Sequence, residues 1–367
     1  MGETREIARG RDVRIATLAN ASVVHTRRWV EHFRARGHDV RVWSLESGPP
    51  ELAAAPLPRS PLPGWLRYPL AAPALRGALE RFRPHIVDAH YVPNYGLMGA
   101  LAGARPLVVT AWGSDLLIDA VRDPLRRARA RYVLTRADRV LADSANLAAA
   151  ARALGAPAAR VLEIPWGVDP LRFRPAPERE SGLLLSTRLH EPVYDLETLI
   201  EGAAPVLESR RDARLVIAGD GSLRQRLERL ASRRLPAGTF TFVGRLEPAE
   251  MAAWMGRAEV FLSASRSDST SVSLLEAMAS GAIPVVSDLE GNREWVGEGD
   301  GARLFAVGDR AALTRSLERC LSDAEWRAAA RARNAGVIAD RGSWPVNLAR
   351  IEAVFETLAS GAEGRNA

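Results

Sequence analysis

The chain has 367 residues, of which 47% are hydrophobic and 26% charged, with a formal net charge of +6. That length allows two domains with separate cores, and that composition excludes collagen-like, low-complexity and wholly disordered classes. A single cysteine, Cys320, excludes an intrachain disulfide and a cysteine metal cluster, and the helical periodicity around it marks a small core residue. The 50 basic residues are all arginine, which points first to genomic composition and second to an anionic partner. Clusters stand at Arg27-Arg28 and at Arg122, Arg126, Arg127, Arg129 and Arg131. No aromatic interleaving or nucleic-acid module accompanies them, so no nucleic-acid partner is expected.

The N-terminus, MGETREIARGRDVRIATLAN, lacks the apolar core of a signal peptide. The uncharged run Tyr91–Ala104 is too short, and too broken by Pro and Gly, to span a bilayer. A cytoplasmic protein is expected, with disorder confined to the ends, before Asp12 and after Ser360. Strand candidates follow in order: VRIATLAN, DVRVWSLE, HIVDAHY, PLVVTAWG, DRVLADS and RVLEIPWG, then GLLLSTR, ARLVIAGDG, FTFVGRL, EVFLSAS, IPVVSD and ARLFAVGD. Helical patterns such as TRRWVEHFRARG and DLETLIEGAAPVLESR separate them. Continuous apolar strands alternating with helices predict parallel sheets covered on both faces. The Pro- and charge-rich stretch DPLRFRPAPERES, residues 169–181, reads as a linker. The expected division is a first doubly wound domain over 1–168, a second over 169–343, and a C-terminal segment over 344–367. That segment, an amphipathic helix capped by Ser343 with Pro345 in its first turn, has no strand after it and must dock on something already built.

The most informative stretch is Asp268 to Trp295, DSTSVSLLEAMASGAIPVVSDLEGNREW. It predicts a polar loop, a short helix with Glu276 in its first turn, a stop at Gly281 and a buried strand. A polar loop entering a helix N-terminus suits an anion, because unpaired N–H groups and the helix dipole point the same way. Asp268 and Glu276 add acceptors for hydroxyls. Ser273-x-x-Glu276 also has the spacing of a capping box, and Asp268 that of a turn-forming residue.

These motifs resemble the family 4 retaining glycosyltransferases of GT-B fold. The resemblance rests on Asp268-x7-Glu276 with AMASGAIPVVSD, on STRLHEPVYDLETLI, LVIAGDGSLRQRLERL and FTFVGRLEPAEMAAWM, and on IPWGVD at 164–169. It covers nearly the whole chain. It implies two facing Rossmann-like doubly wound domains, with the C-terminal helix crossing back to the first. It also implies a nucleotide-diphospho-sugar donor, UDP- or GDP-linked, on the second domain and a hydroxyl acceptor on the first.

Residue by residue, the resemblance gives Glu276 the ribose hydroxyls, Asp268 the donor sugar and Arg188 the donor diphosphate. The amides of Ser269, Thr270, Ser271 and Val272 would face sugar and phosphate, Gly219 and Gly221 would form the glycine turn, and Val243, Gly244 and Arg245 would lie at the base. The chain departs from the family in four places. Asp268 stands where Glu is usual, and Val193-Tyr194 where a lysine is usual. Ala21 and Ser22 replace two loop glycines, and Trp112 replaces a histidine. Tyr194 could donate a neutral hydrogen bond there, or an arginine from elsewhere could fill in. His25, His90, Trp112 and Asp115 are the acceptor-side candidates. No Asp-x-Asp pair or metal-ligand spacing occurs, so neither metal nor cofactor is expected. The arginine clusters of the first domain leave room for peripheral contact with an anionic membrane at its inner face. Two other functions fit the same motifs: a sugar-nucleotide epimerase of GT-B fold, and a non-catalytic nucleotide-sugar-binding protein.

Overall fold

Each apolar run becomes a strand, and the central strands of each sheet are buried along nearly their whole length while the outer ones are partly exposed. The computed structural model describes residues 12–58 and 64–363, with the backbone alone at 64, 65, 362 and 363. The chain divides into two units, Met1–Ile164 with Leu348–Ala367, and Pro165–Asn347. The first carries β1 (Arg14–Leu18), β2 (Asp39–Ser44), β3 (Ala55–Pro56), β4 (Ile86–His90), β5 (Leu107–Thr110), β6 (Arg139–Ala142) and β7 (Val161–Glu163). The second carries β8 (Leu183–Ser186), β9 (Arg214–Ala218), β10 (Phe240–Gly244), β11 (Val260–Ser263), β12 (Ile283–Ser287), β13 (Gly297–Glu298) and β14 (Gly301–Phe305). All twelve strands expected from the sequence are present. The short β3 and β13 were not expected; each has two residues, too few to show a period.

Among the described residues each unit holds one parallel sheet. The orders are β3-β2-β1-β4-β5-β6-β7 and β10-β9-β8-β11-β12-β14-β13. In the second sheet Leu184 packs with Leu199, Ile217 and Leu262 on one face, while its neighbours Leu183 and Leu185 pack with Val216, Phe261 and Met278 on the other. That alternation is the two-residue period of a strand with helices on both sides. The first order reverses direction between β1 and β4, and the second between β8 and β11 and again at its short edge strand β13. Open α/β sheets bind ligands at such a reversal, beyond the carboxyl ends of the strands.

The last helix, Trp344–Glu363, meets the first unit along its Leu348-onward part. Phe355 stacks on Phe33 at 5.2 Å. Buried Glu352 accepts from Arg36 Nε at 3.1 Å and lies 3.0 Å from His38 Nε2, whose other ring nitrogen accepts from the Val13 amide at 3.2 Å. The helix without a following strand is therefore anchored by buried apolar side chains, Leu348, Ile351 and Phe355 among them, and by Glu352 between Arg36 and His38.

Three expectations change. Residues 169–181 form no helix or strand, but they are not a loose linker. Phe173 is buried, the Ala176 amide donates to Gly256 O, and Arg179 donates to Ala258 O and Ser280 O. Glu180 pairs with Arg214 and Arg257. Arg179 and Glu180, two of the charges that marked the stretch as a linker, fasten it to the second unit. The signature helix is Val272–Ala279, capped by Ser271, so Glu276 lies in the second turn and Ser273 inside the helix; the capping-box reading is overturned. The expected disordered ends lie outside the described residues, apart from 361–363, which continue the last helix. Cys320 is fully buried and its thiol is pushed up to about 12 by burial, as suits a core residue. No helix among the described residues is long and apolar enough to cross a membrane.

Candidate active site

In the second unit Arg188 leaves β8 and Asp268 leaves the loop after β11, on either side of the sheet's reversal. The register Leu184 to Val260 makes these two strands neighbours. The two side chains pair with each other through Arg188 Nη2. Arg188 Nη1 donates to Ser271 Oγ at 2.8 Å and Ser273 Oγ at 3.4 Å, and the guanidinium carbon lies 4.3 Å from the centre of the Tyr194 ring. The cation expected at a strand end is thus a buried one, bound by an acid, two hydroxyls and an aromatic face. Burial pushes the Asp268 carboxyl up from its usual range, while Arg188 acts against that shift. Tyr194 supplies a π face to Arg188 rather than a second cation.

The two loops are joined again nearby. Arg266 donates its amide to Val193 O at 2.8 Å and its guanidinium to Asp195 at 2.8 Å. Asp195 caps the helix Leu196–Ser209 through the Thr198 amide and hydroxyl. Ser269, Thr270 and Ser271 are buried, with Trp295 Nε1 donating to Thr270 Oγ1 at 3.3 Å. The loop rests on Gly291, where an added Cβ would lie 2.0 Å from Ser269 O. Val272 and Glu276 are half-buried on the helix that follows.

Gly219 and Gly221 have a packing role. A Cβ on Gly219 would meet Arg188 O at 2.6 Å, and one on Gly221 would meet His190 O at 2.6 Å. Ser222 donates to Glu191 from its amide and hydroxyl at 2.8 and 2.6 Å. The glycine turn therefore holds the Arg188 loop in place. Its link to β10 is the Gly219 amide on Gly244 O at 2.7 Å; Val243 is half-buried and Arg245 exposed.

In the first unit, Ser22 is exposed and its hydroxyl donates to Asn20 Oδ1 at 2.7 Å. His25 lies edge-on to Trp112, ring centres 6.1 Å apart. Burial, then the charge of Arg28, pushes His25 down to about 4, so the ring is neutral near pH 7. His90 and Asp115, two of the acceptor-side candidates, are buried and bonded within the protein. Asp115 is fully buried and accepts from the amides of Val92, Trp112 and Leu116. Burial raises its carboxyl to about 6 against those donors. His90 Nε2 meets Asp88 Oδ2 at 2.9 Å, and its Nδ1 accepts from Trp112 Nε1 at 3.1 Å. Asp88 also accepts from Thr110 Oγ1 at 2.8 Å. Both residues position Trp112: one orients its ring, the other its backbone.

Residues 20–167 match the family model described as glycosyl transferase 4-like domain, and residues 180–323 the one described as glycosyl transferases group 1. The chain belongs to this glycosyltransferase family. The chain is 32% identical to phosphatidyl-myo-inositol mannosyltransferase of Mycolicibacterium smegmatis over 208 residues, 55% of this chain and 53% of that protein. It thus spans about half the length of that relative. To the Mycobacterium leprae protein of the same name it is 27% identical, with 92% of each covered. Among solved structures, sucrose-phosphate synthase from Thermosynechococcus elongatus gives a TM-score of 0.84 at 18% identity, covering 96% of this chain and 100% of that one. Anabaena HepE in complex with UDP-glucose gives 0.79 at 15%, covering 94% and 100%. At these identities the likeness is one of fold, and the fold is GT-B.

The chain also carries groups at this site that its sequence does not mark. Asp88 is the exception, since Asp-x-His on a strand puts both side chains on one face. Arg266 and Gly291 gave no local signal, because what they touch is set by the neighbouring loop.

Proposed function

We propose that this chain is a retaining hexosyltransferase that takes a sugar from a nucleoside-diphosphate donor, held by the second unit, and passes it to a hydroxyl acceptor recognised by the first. The observation that carries the reading is the Arg188–Asp268–Ser271 cluster beside the N-terminus of the helix Val272–Ala279, at the reversal between β8 and β11. An arginine held rigidly there stabilises charge that grows on a departing diphosphate, and does so without reorganising. The first amides of the helix have no intrahelical partners and face the same charge. Asp268, in place of the family's usual Glu, reaches less far and pairs with Arg188; in this reading it also accepts from a hydroxyl of the donor sugar. Glu276 accepts from the ribose. The UDP-glucose complex of the Anabaena structure supports a nucleotide-sugar donor of this kind.

In a retaining transfer of this type the donor phosphate removes the acceptor proton, so no side-chain base is required, nor any metal or cofactor. The lipid acceptor named for the mycobacterial relatives makes an anionic surface a reasonable place for this acceptor. Exposed Val121, Leu125, Arg122, Arg126, Arg127 and Arg131 suit such a surface.

A thermal-shift screen over UDP-, GDP-, ADP- and dTDP-sugars tests the donor, since only a ligand of the native state raises the melting point. The product's anomeric configuration, read by NMR, tests retention. An inverted linkage excludes it, and an epimerised donor without acceptor excludes transfer.

A further inference from the structure

We infer that Arg266 is a second diphosphate-binding cation of this site, acting beside Arg188. This rests on the reading of a nucleoside-diphosphate donor given above. Arg188 by itself is poorly matched to that ligand. Its charge is compensated by Asp268, both are largely buried, and Nη1 and Nη2 already donate within the protein. A nucleoside diphosphate brings a charge of about two to three onto the ledge formed by the loops after β8 and β11, more than a neutralised arginine can balance.

Arg266 stands on that ledge with a different balance. It is two residues before Asp268 in the same loop, and its amide is fixed on Val193 O at 2.8 Å, so its backbone is tied to the turn that follows Arg188. Its side chain is 57% exposed, whereas that of Arg188 is 7% exposed. It pairs with Asp195 through Nη2 at 2.8 Å. The Asp195 carboxylate is 7% exposed and already serves the Thr198 hydroxyl and the N-terminus of the helix Leu196–Ser209. That helix end supports the Asp195 charge without Arg266. Most of the Arg266 fork therefore stays open to solvent. A planar guanidinium anchored at one edge and open at the other suits a phosphate oxygen pair.

The test is isothermal titration of the full chain with UDP, GDP, ADP and dTDP, and with the nucleoside of whichever diphosphate binds. It is run on wild type, Arg266→Gln, Arg266→Lys and Asp195→Asn. Arg266→Gln is expected to weaken diphosphate binding about tenfold or more while leaving the nucleoside unchanged. Arg266→Lys should restore part of the loss, and Asp195→Asn should keep the diphosphate at least as tight as wild type. Equal weakening of diphosphate and nucleoside by Arg266→Gln would mean that the residue only braces the loop, and it overturns the inference. So does an unchanged diphosphate affinity. A wild type that binds none of the four overturns the donor reading itself, and this inference with it.

Discussion

Arg188 and Asp268 are bound to each other, although the sequence assigns them to different parts of the donor. They are 80 residues apart and meet because β8 and β11 are sheet neighbours at the reversal. Removing one partner of a buried pair leaves the other charge without compensation. Arg188→Ala is expected to lower stability by about 3 kcal/mol and to remove donor turnover. Arg188→Ala with Asp268→Ala should lose less stability than the single changes summed. Urea denaturation of the four proteins checks this; strict additivity would show that the pair is not coupled.

The loop carrying Asp268 leans on Gly291, where there is no room for a side chain: the nearest backbone atom would be 2.0 Å from a new Cβ. Gly291→Ala must therefore push back the Asp268–Ser269 backbone. The expected result is a donor KM raised severalfold, with a melting point that falls by only a few degrees. A variant with wild-type KM would show that the loop position is immaterial to the donor.

Glu352 is the polar anchor of the last helix, buried between Arg36 and His38. Glu352→Ala leaves those partners without their acceptor and is expected to lower stability by about 3 kcal/mol. Hydrogen exchange should rise over 348–363 in particular, because the buried apolar side chains Leu348, Ile351 and Phe355 then hold the helix without its polar anchor. Unchanged exchange there would mean that apolar packing suffices.

His25 and Asp115 pull stability in opposite directions with pH. His25 is held down to about 4, so its contribution is complete above 6.5 and is lost as pH falls through about 4. Asp115 is raised to about 6, so its contribution is complete below 3.8 and is lost as pH rises through about 6. Between about 4 and 6 the two slopes offset each other. His25→Gln should make stability fall as pH rises through that window, relative to wild type, and Asp115→Asn should make it rise. Denaturation midpoints at several pH values check both signs.

Much of this was present in the chain itself. Apolar runs four to five residues long, such as Leu183–Ser186 and Ile283–Ser287, identify their own strands, because burial on both faces leaves no polar positions. Asp268 and Glu276 can be singled out as candidates from the sequence because a loop-to-helix motif is local. The capping of that helix was misread, since Ser271 and Ser273 are equally good caps on paper and only the backbone turn selects Ser271. His90 and Asp115 stood out as polar residues near the ends of apolar runs, but their bonds to the Trp112 ring and to three amides carry no local mark.

The sequence by itself determined the two sheets, their parallel character and the segment that bears the acids, because hydrophobic period and turn chemistry act over a few residues. Only the tertiary structure decided which charges meet. Strand order brings Arg188 to Asp268 and Arg266 to Asp195, and helix docking brings Glu352 to His38. A buried charge takes whichever partner the fold places within reach, and neither member of such a pair carries a local mark of the other.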